Sequence, residues 1–241
     1  MKLAYYPGCS LESTAIEYDI STHKVMDKLG VEFQEIADWN CCGASPAHQT
    51  DQNLPIALVA RNLAIAEKDG LDVAVPCTAC YNRMRAAEKS LKEDESLKTN
   101  IEEAIGMKYG VTNTAKSLLE VVAKDVGTEK IAAAVKKKLS GLRVACYYGC
   151  LLVKPQSITP IDDPENPKMM DGLIEAIGAT PVNWSHKTEC CGAGLSIART
   201  DVVLKLGNDI LDLAQASGAD CLVTACPLCQ LNLEMRQAEI E

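Results

Sequence analysis

Apolar and polar positions alternate along this chain in two rhythms, one of period two and one near 3.6. Lys2 to Tyr6 is a short apolar run of strand length. Ile16, Ile20, Val25, Met26 and Leu29 recur at helical spacing, and Gly30 follows as a stop. Val31 to Ile36 reads as a second strand, Leu54 to Lys68 as a strongly amphipathic helix closed by Gly70, and Leu71 to Val75 as a third strand broken by Pro76. The same order returns later: a strand at Leu142 to Tyr148, a helix at Met169 to Ile177, a strand at Thr180 to Trp184, a long helix at Leu195 to Ala216, and a strand at Cys221 to Thr224. Strand–helix alternation of this kind predicts parallel sheets. The fold class expected is α/β: two pseudo-symmetric, small parallel-sheet β-α-β-α-β domains with a helical spacer. Their boundaries fall at 1–92 and 142–241, with the spacer at 93–141. That spacer is rich in Ala, Lys, Glu and Leu and reads as several helices, with breaks near Gly106 to Gly110 and at Gly127.

In a parallel βαβ array the carboxyl ends of the strands share one edge, where open α/β sheets hold their ligands. Every cysteine group in this chain follows such an end. Cys9 comes after the first strand, the vicinal pair Cys41–Cys42 after the second, and Cys77 with Cys80 after the third, in the pattern C-x31-CC-x34-C-x2-C. The second half repeats it as Cys150, Cys190–Cys191, Cys226 and Cys229, or C-x39-CC-x34-C-x2-C. The longer first gap is a loop from Pro155 to Pro167 with four prolines and the acids Asp162, Asp163 and Glu165.

Bulk composition changes the picture only in part. A net charge of −9 argues against nucleic acid or an anionic membrane surface as partner. No apolar run reaches membrane-spanning length, and Met1 to Pro7 lacks the apolar region of a signal peptide. A cytoplasmic location is therefore expected, and there thiols stay reduced, so twelve cysteines in repeated spacing read as metal binding rather than disulfides. Four-ligand zinc sites and closely spaced four-iron sites both leave the vicinal pair unexplained. Five thiolates favour a larger or more open iron–sulfur cluster, with zinc and thiol–disulfide chemistry as alternatives. Gly43 and Gly192 permit the sharp turn that neighbouring ligands require.

Read with Tyr5-Tyr6-Pro7-Gly8-Cys9-Ser10 and Trp39-Asn40-Cys41-Cys42-Gly43-Ala44, the pattern resembles the cysteine-rich CCG domain of the B-type subunits of heterodisulfide reductase, in both halves and over nearly the whole chain. The resemblance implies two noncubane [4Fe-4S] clusters, one on Cys9, Cys41, Cys42, Cys77 and Cys80, the other on Cys150, Cys190, Cys191, Cys226 and Cys229. It implies a catalytic subunit that reduces a disulfide, of the CoM-S-S-CoB type in methanogens, with one electron from each of two clusters that face each other. A CCG-domain electron-transfer subunit of a lactate- or glycolate-oxidising type is the alternative. The chain has no ferredoxin-type C-x2-C-x2-C-x3-C-P run. The resemblance thus implies partners: an electron-delivering, ferredoxin-like subunit of the C type and a flavin-containing subunit of the A type. It also implies a longer C-terminal tail than follows Cys229 here.

Other residues near the cysteines have two readings each. His48 is a proton donor or a structural hydrogen-bonding residue. His186 and Lys187 contact an anionic substrate or lie on a solvated loop, and Arg83, Lys154 and Arg199 are further cations near the motifs. Cys146 and Cys221 fall on strands and read as buried structural cysteines, with Cys146 also a rival to Cys150 as first ligand. Gly149 before Cys150, matching Gly8 before Cys9, decides for Cys150.

Overall fold

The computed structural model describes residues 1–44 and 47–240. The chain forms two compact units, Met1–Leu118 and Leu119–Glu241, each built on its own parallel sheet.

In the first unit the elements are β1 (Lys2–Tyr5), α1 (Gly8–Leu11), α2 (Ile16–Lys28), β2 (Glu32–Glu35), α3 (Ala47–Thr50), α4 (Leu54–Lys68), β3 (Val73–Val75), α5 (Thr78–Glu93), α6 (Glu95–Ile105) and β4 (Ala115–Ser117). The sheet order is β2-β1-β3-β4, all parallel, with Leu3 opposite Phe33, Ala4 opposite Val73 and Ala74 opposite Lys116. A strand in the middle of a parallel sheet is covered on both faces, so it reads as unbroken apolar sequence. Val73, Ala74 and Val75 are accordingly fully buried. Helix α4 places Val59, Ala60, Leu63, Ala64 and Ala66 in the core at helical spacing. On α2 only part of the expected apolar stripe is covered. Met26 and Leu29 are buried, whereas Ile16, Ile20 and Val25 are exposed.

The stretch expected as a wholly helical spacer contains β4, and this strand is a correction to the sequence reading. Three residues, Ala-Lys-Ser, carry no periodicity; they become a strand through tertiary hydrogen bonds. Asp72 accepts from the Thr114 amide at 2.9 Å, and buried Glu88 accepts from the Ala115 amide at 2.6 Å. Glu88 is itself paired with Arg85 at 2.5 Å. Asn113 ties the approach down by donating to the carbonyls of Leu63 and Leu71. Burial lifts the Glu88 carboxyl above its ordinary range, with Arg85 pulling the other way.

The second unit begins with α7 (Leu118–Glu120), which runs through a π-helical stretch at Val121–Gly127 into α8 (Thr128–Ala134). Then come β5 (Arg143–Tyr147), α9 (Met169–Ala176), β6 (Thr180–Pro181), α10 (Thr200–Ala216), β7 (Cys221–Thr224) and α11 (Pro227–Gln230). The sheet order is β6-β5-β7, again parallel, so β5 takes the central place of β1. Helix α10 starts at Thr200 rather than Leu195, because a 3-10 turn at Ala193–Leu195 intervenes after the vicinal cysteines. Here β7 is an edge strand, where its counterpart β3 is flanked by β4. The expected burial of Cys221 is corrected: at the start of this edge strand it is exposed, while Cys146 on central β5 is fully buried.

Candidate metal centre

Each sheet delivers five thiols at the carboxyl ends of its three matched strands. After β1, the chain turns at Gly8 (φ 68°) into α1, which carries Cys9. A Cβ at Gly8 would stand 3.4 Å from the Cys80 sulfur and 3.2 Å from the Tyr6 ring, so the glycine lets a cysteine pack against bare backbone. Gly149 repeats this, with φ 68° and the Cys229 sulfur 3.3 Å from its absent Cβ. The vicinal pairs follow β2 and β6. Gly43 (φ 69°) and Gly192 (φ 77°) turn back so that their amides donate to Cys41 Sγ at 3.5 Å and Cys190 Sγ at 3.3 Å. After β3, Cys77 is the residue that opens α5, and Cys80 lies in its first turn. Cys226 and Cys229 hold the same positions on α11.

The sulfurs approach in pairs: Cys42 and Cys80 are 3.1 Å apart, Cys191 and Cys229 3.5 Å. Cys41 and Cys9 interact electrostatically with this group, as do Cys150 and Cys190 with theirs. In each set one face is open to solvent. Cys9 and Cys41 are exposed in the first, Cys190 is exposed and Cys150 half-buried in the second, and the remaining six are buried. Thiol donating to thiol divides each set into donors and acceptors. Hydrogen bonds from Cys41 and then Cys80 pull the Cys42 thiol down to about 3, while Cys41 and Cys80 are pushed up as donors. In the second set Cys150 lowers Cys190 to about 6, and Cys229 lowers Cys191. Ready thiolates of this kind are soft metal ligands. Among the described residues, no three or more of Cys, His, Asp and Glu close around a single metal ion. The donor set fits a polynuclear centre: five sulfurs in each unit, some buried and some exposed, with an amide hydrogen bond aimed at one sulfur of each set.

Two residues that the sequence reading passed over sit inside the thiol sets. Tyr6 and Tyr147 are fully buried, and each donates its hydroxyl to the carbonyl just before the vicinal pair, Asn40 O at 2.9 Å and Glu189 O at 2.6 Å. Burial first, then four neighbouring cysteines, holds both phenols well above their ordinary range. The repeated Tyr-x-Gly-Cys, at Tyr6 and at Tyr147, is the signal that marks them. Amides complete the frame. Asn62 accepts from the Asn40 amide and donates to its carbonyl, at 3.0 and 2.8 Å, and Asn232 donates to Cys191 O at 3.0 Å.

The cations expected near substrate fare differently. Lys187 is 1% exposed, and its ammonium is held by Asp171 at 2.5 Å and by the Pro167 carbonyl at 3.1 Å. It is a core residue, which corrects its expected place on a substrate-facing loop. Lys154 pairs with Glu165, and Arg199 makes two hydrogen bonds to Asp201. His186 is half-buried beside the Ser185 hydroxyl at 3.0 Å. His48 lies on α3, and its side chain is outside the described residues, as are Ser45 and Pro46. Arg83, one turn after Cys80 on α5, is half-buried and close enough for its charge to favour the Cys42 thiolate. Cys146 lies beside Asp171, and burial pushes it up to about 12.

The family model of the CCG cysteine-rich domain matches residues 3–85 and again 144–234, one match to each sheet and its thiols. The chain belongs to the family of heterodisulfide reductase B-type subunits. Among its relatives is the 8-methylmenaquinol:fumarate reductase membrane anchor subunit of Wolinella succinogenes, 34% identical, with the alignment covering 100% of this chain and 84% of that one. The B-type subunit of the ferredoxin:CoB-CoM heterodisulfide reductase of Methanosarcina mazei is 30% identical over 99% of this chain and 81% of its own. A protein of Archaeoglobus profundus, likewise similar to the B-type subunits of heterodisulfide reductase, is 28% identical over 100% of this chain and 83% of its own. In fold, the chain is similar to a hypothetical protein from Helicobacter pylori, with a TM-score of 0.78 at 14% identity, covering 99% of this chain and 44% of that one. No helix among the described residues is long and apolar enough to cross a membrane.

Proposed function

We propose that this member of the heterodisulfide reductase B-type family is the iron–sulfur catalytic subunit of a heterodisulfide reductase-like complex. The observation that carries the reading is the duplication, in both units, of five cysteines at the carboxyl ends of a parallel sheet, with Cys42 and Cys80 3.1 Å apart and Cys191 and Cys229 3.5 Å apart. Cys9, Cys41, Cys42, Cys77 and Cys80 would hold one noncubane [4Fe-4S] cluster, and Cys150, Cys190, Cys191, Cys226 and Cys229 a second. When bound, such clusters pass electrons one at a time. Reduction of a disulfide to two thiols consumes two electrons and two protons, so two one-electron sites match the stoichiometry. The electrons would come from a ferredoxin-like subunit of the C type, served by a flavin-containing subunit of the A type, in the cytoplasm.

The chain's own part is to hold its thiols in place. Gly43 and Gly192 supply amide donors to the sulfurs of Cys41 and Cys190. Tyr6 and Tyr147 hold the chain immediately before each vicinal pair. The exposed cysteines of each set face outward, where a substrate would approach. His48 and His186 remain proposals for proton delivery to the product thiolates.

A second reading is supported by the relative named as a subunit of an 8-methylmenaquinol:fumarate reductase. Here the chain would only relay electrons, and a partner would reduce another acceptor. Anaerobic metal analysis tests both, with about eight iron atoms per chain required. Zinc without acid-labile sulfide would refute both. Loaded protein supplied with a reduced dye should turn over a disulfide on its own; loaded protein that fails to do so favours the relay.

A further inference from the structure

A sheet edge presents a row of unpaired N–H and C=O groups, and folded chains guard such edges with short strands, charges or proline. Among the described residues the two sheets end in β2, β4, β6 and β7. Three of these edges are guarded. β2 carries Glu32 and Glu35, both exposed. β4 is three residues long with Lys116 at its centre. β6 has two residues, one of them Pro181, which lacks an N–H. β7 has no such device. Cys221, Leu222, Val223 and Thr224 carry no charge and no proline, and none of the four is buried.

The first unit shows what this edge receives. Leu222 holds the place of Val73: it lies opposite Ala145 on the central strand as Val73 lies opposite Ala4. The Val73 amide points away from β1 and donates to the Thr114 carbonyl at 2.9 Å, and β4 then runs parallel to β3 with Val73 opposite Ala115 and Val75 opposite Ser117. β3 is fully buried under this cover, whereas Leu222, Val223 and Thr224 are half-exposed. Backbone groups alternate between the two sides of a strand, so Leu222 and Thr224 turn theirs to the outer side of β7, where no strand of the described residues lies. The side chains that receive β4 are acidic. Asp72 accepts from the Thr114 amide and pairs with Lys116 at 3.4 Å, and Glu88 accepts from the Ala115 amide. In the second unit the same distances from the C-x2-C cysteines fall on Cys221 and Gln237, both neutral. Asp220, next to Cys221, is taken by the Arg143 amide at 2.8 Å.

We propose that the outer edge of β7 is a docking edge for another polypeptide, which adds an uncharged extended segment parallel to β7 as β4 adds to β3. Strand addition of this kind takes its affinity from main-chain hydrogen bonds and its selectivity from the side chains that alternate along the edge. Two features select the occupant. The first is charge: a lysine in the added strand finds its carboxylate on β3 and finds a neutral position on β7, beside which apolar and β-branched residues pair best with Leu222 and Val223. The second is direction. A second copy of this chain has one unguarded edge to offer, its own β7, and two copies of one strand meeting across a two-fold axis run antiparallel. A parallel strand therefore comes from a different chain. The proposal is independent of the metal the thiols hold, since it concerns the sheet edge and not the sulfurs.

The test uses the full chain, kept anaerobic, and three synthetic probes. One peptide copies residues 113–119, the segment that contains β4. The second is the same peptide with Lys116→Val. The third is the second, N-methylated on two adjacent central residues so that neither of its edges can pair. Hydrogen exchange read by mass spectrometry should slow in residues 219–226 when the second peptide is added and stay unchanged in residues 71–77. The first peptide should bind more weakly than the second, and the third at least about tenfold more weakly. Leu222→Lys, which gives β7 the kind of guard that β4 carries, should abolish the protection; if that variant does not fold, the N-methylated peptide decides. Direction is read through exposed Cys221 at the start of β7: a chloroacetyl group on the peptide's amino end should alkylate it, and one on the carboxyl end should not. No slowing at 219–226 overturns the proposal, as does equal protection by the N-methylated peptide or alkylation from the carboxyl end alone. A chain that sediments as a dimer, and as a monomer after Leu222→Lys, assigns the edge to a second copy and overturns it too.

Discussion

Replacing Lys187 by Met should damage the second unit far more than a lysine near the surface ordinarily would. The side chain is 1% exposed, and its ammonium meets Asp171 Oδ1 at 2.5 Å and the Pro167 carbonyl at 3.1 Å. Asp171 is also buried, and its second oxygen accepts from the Tyr148 hydroxyl at 2.7 Å. Methionine fills much of the lysine volume, so the loss is chiefly electrostatic: one carboxylate is left in the core with only neutral donors, the Tyr148 hydroxyl and the Cys146 thiol. Removing one partner of a buried pair costs about 3–5 kcal/mol, whereas replacing both by apolar groups is often neutral. For a chain of this size each kcal/mol moves the midpoint of thermal unfolding by about 2–4 °C. Lys187→Met should therefore lower it by roughly 6–20 °C, read by circular dichroism on anaerobic protein. The double variant Lys187→Met with Asp171→Leu should recover most of that loss. The backbone ties the defect to the metal centre, since the Lys187 carbonyl accepts from the amides of Tyr148 and Gly149, just before Cys150. Retention of iron by the second set should fall in the single variant and return in the double. A single variant with a midpoint within about 2 °C of wild type, or a double variant no better than the single, would refute the reasoning.

Thiol labelling supplies a second check. If ten cysteines hold metal as proposed, only Cys146 and Cys221 are left, and they are unlike: Cys146 is fully buried and pushed up to about 12, Cys221 exposed. Iodoacetamide at pH 8 should modify one residue per chain, Cys221, as located by mass spectrometry, and chelation of the metal should make further cysteines reactive. Burial and Asp220 raise the Cys221 thiol, so its labelling should still be climbing above the pH at which a free cysteine levels off. Tyr6→Phe and Tyr147→Phe each remove a buried hydroxyl from a loop carbonyl. Each should cost about 1–3 kcal/mol and loosen iron only in its own unit, leaving about four iron atoms per chain if the loss is complete.

How far the sequence carries depends on where each interaction is stored. The thiol sets are legible because their convergence follows from local rules: strand, glycine turn and helix start recur at fixed spacing, and a parallel sheet brings the turns to one edge. β4 is not legible, since its three residues owe their pairing to Asp72, Glu88 and Asn113 on or near other elements. Lys187 misleads for the same reason. Three residues before Cys190 it reads as a solvated cation, and only its contact with Asp171, sixteen residues earlier, makes it a core residue. Cys221 misleads because strand character alone does not bury it: it opens β7 at the sheet edge and is exposed, as its counterpart Asp72 is half-exposed. The duplication adds information that neither copy holds alone. A single set cannot say whether Arg83 belongs to the frame or modifies it. The second copy keeps the glycines, tyrosines and cysteines and exchanges Arg83 for Asn232 and Asn40 for Glu189. What the copies share is the set of glycines, tyrosines and cysteines at the sheet edge; what they do not share includes β4, the exposure of the first cysteine and the charges beside the motifs.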